Sequence, residues 1–142
     1  MFSIRLAVSN DIDAIFRFDQ VAQLEEHRRA FIIRSVDAGA CSVMVDDEQV
    51  IGYAVLDYSF FEQGFISALY IHPDYRRRGA GLRLMQHLET VCQTHKLFTS
   101  THLSNLPMQS LLARLGYLLS GVIHHLDEGD PELVYVKYLP QT

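Results

Sequence analysis

The sequence predicts an α/β fold built on one mixed sheet with helices on both faces. Three observations predict it. The chain has 142 residues and 49% hydrophobic content, the size of one domain with a sizeable core. Its hydrophobic spacing switches repeatedly between the two-residue period of strands and the 3.6-residue period of helices. The resulting order, β-α-α-β-β-β-α-β-α-β-β, is interrupted by no internal repeat, low-complexity tract or linker, so residues 1–142 are read as a single domain.

Taken in order, residues 3–8 alternate as a strand. Asn10 or Asp11 can cap a helix that carries Ile12, Ile15, Phe16 and Val21 on one face. A second helix is predicted over residues 24–37, ended by Ala38-Gly39. Residues 41–45 and 50–58 are β-branched and apolar runs around the acidic turn Asp46-Asp47-Glu48-Gln49, a hairpin signal. The strand predicted at 65–71 stops at His72-Pro73, because proline removes a ladder donor.

Beyond that stop, Leu82, Met85, Leu88, Val91 and Cys92 recur at helical spacing to about residue 95. Residues 97–103 read as a strand and 105–115 as a helix ended by Gly116. Residues 117–126 and 133–139 form a last pair of strands joined by Asp127-Glu128-Gly129-Asp130-Pro131.

A formal net charge of −5 offers no global field for nucleic acid. Cys41 and Cys92 are too few for a disulfide framework, form no CxxC pattern, and are expected to be buried thiols. The N-terminus lacks a signal-peptide core, and no apolar run approaches the ~18 residues of a membrane span. These features predict a soluble cytoplasmic protein without a nucleic-acid or membrane partner. His124 and His125, neighbours on a predicted strand, point to opposite faces and cannot share a metal, and no metal site is expected.

Basic charge and glycine concentrate in Arg76-Arg77-Arg78-Gly79-Ala80-Gly81, after a predicted strand and before a predicted helix. Glycines without Cβ let an anion approach the main chain, the free N–H groups of a helix's first turn point at it, and arginines add charge-assisted bonds. The segment reads as a cradle for a phosphorylated cofactor, against the plainer reading of a solvated basic turn. From Gly79 the chain lacks the third glycine of the dinucleotide fingerprint, and no GxxxxGK[ST] occurs.

Leu69-Tyr70-Ile71-His72-Pro73-Asp74-Tyr75-Arg76-Arg77-Arg78-Gly79-Ala80-Gly81-Leu82, followed by Asn105 and by Leu111, Leu115, Gly116 and Tyr117, resembles the GCN5-related N-acetyltransferases (GNAT) over nearly the whole chain. The resemblance implies a mostly antiparallel sheet and acetyl-CoA as cosubstrate. Main-chain groups of Leu69, Tyr70 and Ile71 would pair with the pantetheine arm. Arg76, Arg77, Arg78, Gly79, Ala80, Gly81 and Leu82 would hold the pyrophosphate, and Asn105 would contact the pantetheine side. Acetyl would pass directly to an amine acceptor. A homodimer is left open beside a monomer, as is an acyl donor longer than acetyl.

Two positions depart from that pattern. Where many relatives carry a tyrosine that protonates the departing thiolate, seven residues after the asparagine, this chain has Leu112, so Leu112→Tyr is expected to be tolerated. Where some relatives carry a glutamate, five residues before the asparagine, it has Ser100. Nearby, His102 shares a strand face with Ser100, and the unperturbed pKa of a histidine suits base or relay work; the alternative is a polar strand end. Ser67, Ser104 and Ser110 could orient water, or serve as caps and surface hydroxyls. The acidic segment 127–132 is a solvated turn or the border of an acceptor pocket; Tyr58, Phe60 and Phe61 are core or acceptor lining. The functional expectation is an acetyl-CoA-dependent N-acetyltransferase. The alternative, motivated by Leu112, is a non-catalytic acyl-CoA-binding sensor or interaction module.

Overall fold

The computed structural model describes residues 1–140. Strand β1 (Phe2–Leu6) leads through a 3-10 turn to α1 (Ile12–Phe18), α2 (Gln20–Leu24) and α3 (Glu26–Asp37). Then come β2 (Cys41–Asp46), β3 (Gln49–Phe60) and β4 (Gln63–Ile71). A 3-10 turn at Pro73–Tyr75 precedes α4 (Ala80–Val91), β5 (Lys96–His102), α5 (Leu106–Arg114), β6 (Leu118–Ile123) and β7 (Glu132–Tyr138). The seven strands form one sheet in the order β1-β2-β3-β4-β5-β7-β6. Pairing is antiparallel at β1/β2, β2/β3, β5/β7 and β6/β7, and parallel at β4/β5, from Gly64↔Leu97 to Ile66↔Thr99. The predicted mixed, mostly antiparallel α/β sheet is the one observed.

Three helices, not two, follow β1. Asp19 is extended (φ −81°, ψ 103°), and its carboxylate accepts from the N–H groups of Val21 and Ala22, so it stops α1 and caps α2. Glu25, also extended, separates α2 from α3. The β2–β3 hairpin turns on Asp47 and Glu48, whose positive φ values of 48° and 73° are those of a type I′ turn. A second turn of that kind joins β3 to β4 through Phe61 and Glu62 (φ 53° and 65°). Neither turn carries the usual Asn-Gly, so the left-handed backbone is held by the strands on either side.

The chain divides into two compact units. In the first, Met1–Leu56 with Ala68–Leu88, Ile15, Phe18, Ala22 and Ile32 pack with Val43, Tyr53 and Val55. Helix α4 buries Leu84, Met85 and Leu88. Gly52 permits a close approach within this unit, since a Cβ there would lie 2.8 Å from Ile71 Cδ1 and 3.2 Å from the Tyr70 carbonyl. In the second unit, Asp57–Ser67 with the chain from Glu89 onward, β5 buries Leu97, Thr99 and Thr101 and leaves Phe98, Ser100 and His102 on its more open face. Helix α5 buries Leu112.

Cys41 is buried as expected, which pushes its thiol up to about 12. Cys92 is not; it is partly exposed, its Sγ 3.4 Å from Thr94 Oγ1. No helix among the described residues is long and apolar enough to cross a membrane.

Candidate functional site

The first unit carries the arginine-glycine segment at the start of α4. The His72 ring fixes the approach: its Nδ1 accepts from the Asp74 N–H at 3.0 Å, and Pro73 opens the 3-10 turn. Arg77 and Gly79 then take positive φ values of 66° and 78°, turning the chain into α4. The first intrahelical bond runs from the Arg83 N–H to the Gly79 carbonyl at 3.1 Å. The N–H groups of Ala80, Gly81 and Leu82 therefore have no carbonyl four residues back to bond, and they carry the positive end of a twelve-residue helix. A Cβ on Gly79 would meet nothing within 4 Å, so the turn has open space beside it. These features fit a pyrophosphate group.

The arginines around the turn are placed differently from one another. Arg76 Nε donates to the Ile71 carbonyl at 3.1 Å, and its guanidinium lies 5.3 Å from the Tyr70 ring centre. Arg78 lies over Tyr75 at 5.1 Å. The Arg77 side chain makes no hydrogen bond or ion pair among the described residues, which leaves its guanidinium available to an anion.

The second unit gathers a different chemistry around the end of β5. Register pairs Ser100 with Val134 and His102 with Glu132, so these four side chains share one sheet face. Ser100 Oγ donates to Glu132 Oε2 at 2.6 Å. His102 Nε2 lies 2.6 Å from Asp127 Oδ2 and 3.6 Å from Glu132 Oε1. The hydrogen bond to Asp127 is the main cause that raises the His102 pKa above its ordinary value; desolvation opposes it, and the charges of Glu132, Asp127 and Asp130 each add a smaller upward push.

The other residues singled out in the sequence have the following partners. Asn105 caps α5, its Oδ1 accepting from the Met108 N–H at 3.2 Å. Ser104 bonds Asp130 through both its N–H and its hydroxyl. Ser67 Oγ donates to Asp57 Oδ2 at 3.0 Å. His124 and His125 are not strand residues: β6 ends at Ile123, and His125 has a φ of 77°. Phe60 is in an aromatic cluster with Phe65 and Phe98, ring centres 5.1 and 5.0 Å away, whereas Phe61 is exposed at the β3–β4 turn. The Tyr58 hydroxyl accepts from the Gln93 N–H.

The model of the Acetyltransferase (GNAT) family matches residues 7–117. This chain belongs to the GNAT acetyltransferase family. A GNAT-family acetyltransferase from Bacillus cereus ATCC 10987 matches it at 32% sequence identity with a TM-score of 0.92, over 99% of each chain. Two more distant structures share the fold. The ribosomal-protein-S18-alanine N-acetyltransferase from Escherichia coli has a TM-score of 0.84 at 14% identity, over 100% of this chain and 96% of the other. The protein yncA from Salmonella typhimurium, with its cofactor acetyl-CoA, has a TM-score of 0.78 at 18% identity, over 99% and 95% of the two chains. None of the curated protein sequences compared with the chain matches it significantly.

Against the GNAT pattern, Leu112 is fully buried, so it is a packing residue of the second unit and not a group open to a ligand. A tyrosine there would have to displace core side chains, contrary to the expected tolerance. Ser100 lacks a carboxylate of its own but holds that of Glu132. Sequence reasoning missed Asp127 and Glu132 as partners of named residues. The only available signal was the pairing of residues 97–103 with 133–139, which sets His102 opposite Glu132 once the register is known.

Proposed function

We propose that this GNAT chain is an acetyl-CoA-dependent N-acetyltransferase that moves acetyl directly onto an amine of a small molecule or peptide, with residues 1–142 acting as one domain in the cytoplasm. The observation that carries the reading is the turn from Arg76 to Gly81, where two left-handed residues open the N-terminus of α4 beside unfilled space. Arg77, Arg78 and the main chain of Gly79, Ala80, Gly81 and Leu82 would hold the pyrophosphate, with Arg76 beside them. Main-chain groups of Leu69, Tyr70 and Ile71 would bind the pantetheine arm as an added strand does, and the Asn105 amide would contact it through the nitrogen that capping leaves free. Bound acetyl-CoA supplies the activated acyl group. His102 would take the proton that an ammonium acceptor must lose before its nitrogen can attack. No metal, nucleic acid or membrane enters the scheme.

A second reading, a non-catalytic acyl-CoA-binding module, is favoured by one observation: the position of the usual acid is a buried leucine. Incubation with acetyl-CoA and a panel of amines, followed by free thiol, separates the two. Amine-dependent thiol release is expected; CoA binding without release with any amine would establish the module instead.

A further inference from the structure

We infer that Asp127 is a positioning residue that fixes the tautomer of His102, so that Nδ1 of the imidazole is the atom that accepts the acceptor amine's proton. The inference rests on the acetyl-transfer reading above and adds to it the atom that does the work and the group that selects it.

The argument begins with hydrogen-bond chemistry. A carboxylate can only accept, so the 2.6 Å contact between Asp127 Oδ2 and His102 Nε2 requires the proton to be on Nε2. In the neutral imidazole the lone pair is then on Nδ1. Glu132 Oε1 lies 3.6 Å from the same Nε2, which adds negative potential on that side of the ring. Among the described residues Nδ1 makes no hydrogen bond, and the side chain is 46% exposed, which leaves its lone pair without a protein donor.

The second observation is that the carboxylates are held. The loop bearing Asp127 is tied to the end of β5 at three points. The Leu103 N–H donates to the Pro131 carbonyl at 2.9 Å, and Asp130 accepts from the Ser104 N–H at 2.9 Å and from its hydroxyl at 2.6 Å. The Asp130 N–H closes the loop on the Asp127 carbonyl at 3.2 Å. Glu132 is fixed independently, by Ser100. An exposed Asp–His pair on a free loop would be worth little; one on a pinned loop is preorganised. The charged groups facing the imidazole are Asp127 and Asp130 from the loop and Glu132 from β7, while α5 brings Gln109, whose amide bonds the main-chain carbonyls of His102 and Leu103.

The proton step is then complete. The ammonium R–NH3⁺ gives one proton to Nδ1, leaving R–NH2 with its lone pair and an imidazolium whose Nε2–H stays on Asp127. The imidazolium later sheds the Nδ1 proton to water and returns to its starting state.

The test uses the full chain labelled with 15N-histidine. Long-range 1H–15N spectra should show His102 as the Nε2–H tautomer when neutral. Asp127→Asn should lower the His102 midpoint by about 0.5 to 1 pH unit, and Glu132→Gln by less, since its oxygen is farther away. The alkaline-going limb of kcat/KM should move with the Asp127→Asn midpoint, and kcat should fall roughly tenfold. An Nδ1–H tautomer, or an unmoved midpoint in folded Asp127→Asn, would overturn the role of Asp127. A midpoint that moves without the kcat/KM limb would overturn His102 as the base. The spectra need no turnover, so absence of thiol release by the wild-type protein would overturn the acetyl-transfer reading separately.

Discussion

The Tyr53 hydroxyl donates a hydrogen bond to Asp19 Oδ2 at 2.5 Å, and neither side chain is exposed. The same carboxylate takes Arg28 Nε at 3.1 Å and the Val21 and Ala22 N–H groups. A buried charge is tolerable only when so fully partnered. The network joins the break between α1 and α2 to β3, and the raised Tyr53 pKa, caused first by burial, keeps the phenol protonated as donor.

Asp19→Ala should therefore be among the most damaging changes in the first unit, costing about 3 to 5 kcal/mol because Arg28, Tyr53 and two amides lose their acceptor. Tyr53→Phe removes a single bond to a charged group and should cost about 1.5 to 3 kcal/mol. Thermal and urea unfolding of both variants measure the difference. Equal losses would show that the carboxylate is not the hub.

Leu112 should behave as a core residue. Leu112→Ala is expected to cost about 2 to 5 kcal/mol, and Leu112→Tyr about 1 to 3 kcal/mol by overpacking. Turnover per folded molecule should change little in Leu112→Ala, as read by kcat at a temperature well below its melting point. A stable, CoA-binding Leu112→Ala variant without turnover would place this position in the chemistry after all.

How much of this could be read from the chain differs by element. The order of strands and helices was legible because His72-Pro73 and Gly116 punctuate it and the periods on either side are clear. The split into α1, α2 and α3 was hidden, since an aspartate in the middle of a helical pattern looks like a surface residue until its two capping bonds are seen. The Phe61-Glu62 turn carries none of the usual turn residues, so its left-handed backbone has no local signal. The arginine-glycine turn was legible as a contiguous motif. The association of His102 with Asp127 depends on strand register and loop closure across 25 residues, which no local pattern reports.

pH dependence follows from the raised His102 pKa. A base must be neutral to act, so kcat/KM should rise as pH passes the folded-state midpoint, and that midpoint should lie above the ordinary value of about 6.5. The sign for stability is opposite: the contacts to Asp127 and Glu132 favour the protonated ring, so their contribution is fully present below the unfolded pKa and lost as pH rises through the folded one. His102→Ala should lower kcat, flatten the limb and leave the CoA dissociation constant nearly unchanged. Wild-type rates for His102→Ala across the pH range would exclude it.

Around the α4 turn, Arg77→Ala should weaken CoA binding by about 1.5 to 3 kcal/mol, one charge-assisted contact. Arg76→Ala should do less, because that guanidinium already bonds the Ile71 carbonyl. Calorimetric titration with CoA ranks the two. A larger loss for Arg76→Ala would reverse the assignment.

The central claim is that the N-terminus of α4 holds the pyrophosphate of acetyl-CoA, and Gly81→Glu tests it most directly. A glutamate in the first turn of a helix suits the helix itself, since it complements the dipole, so the variant should melt close to the wild-type protein without ligand. The same side chain would put bulk and negative charge where the pyrophosphate must sit. The measurement is the CoA dissociation constant of wild-type and Gly81→Glu protein by isothermal titration. A loss of a hundredfold or more in a folded variant is the predicted result, and an unchanged dissociation constant would contradict it.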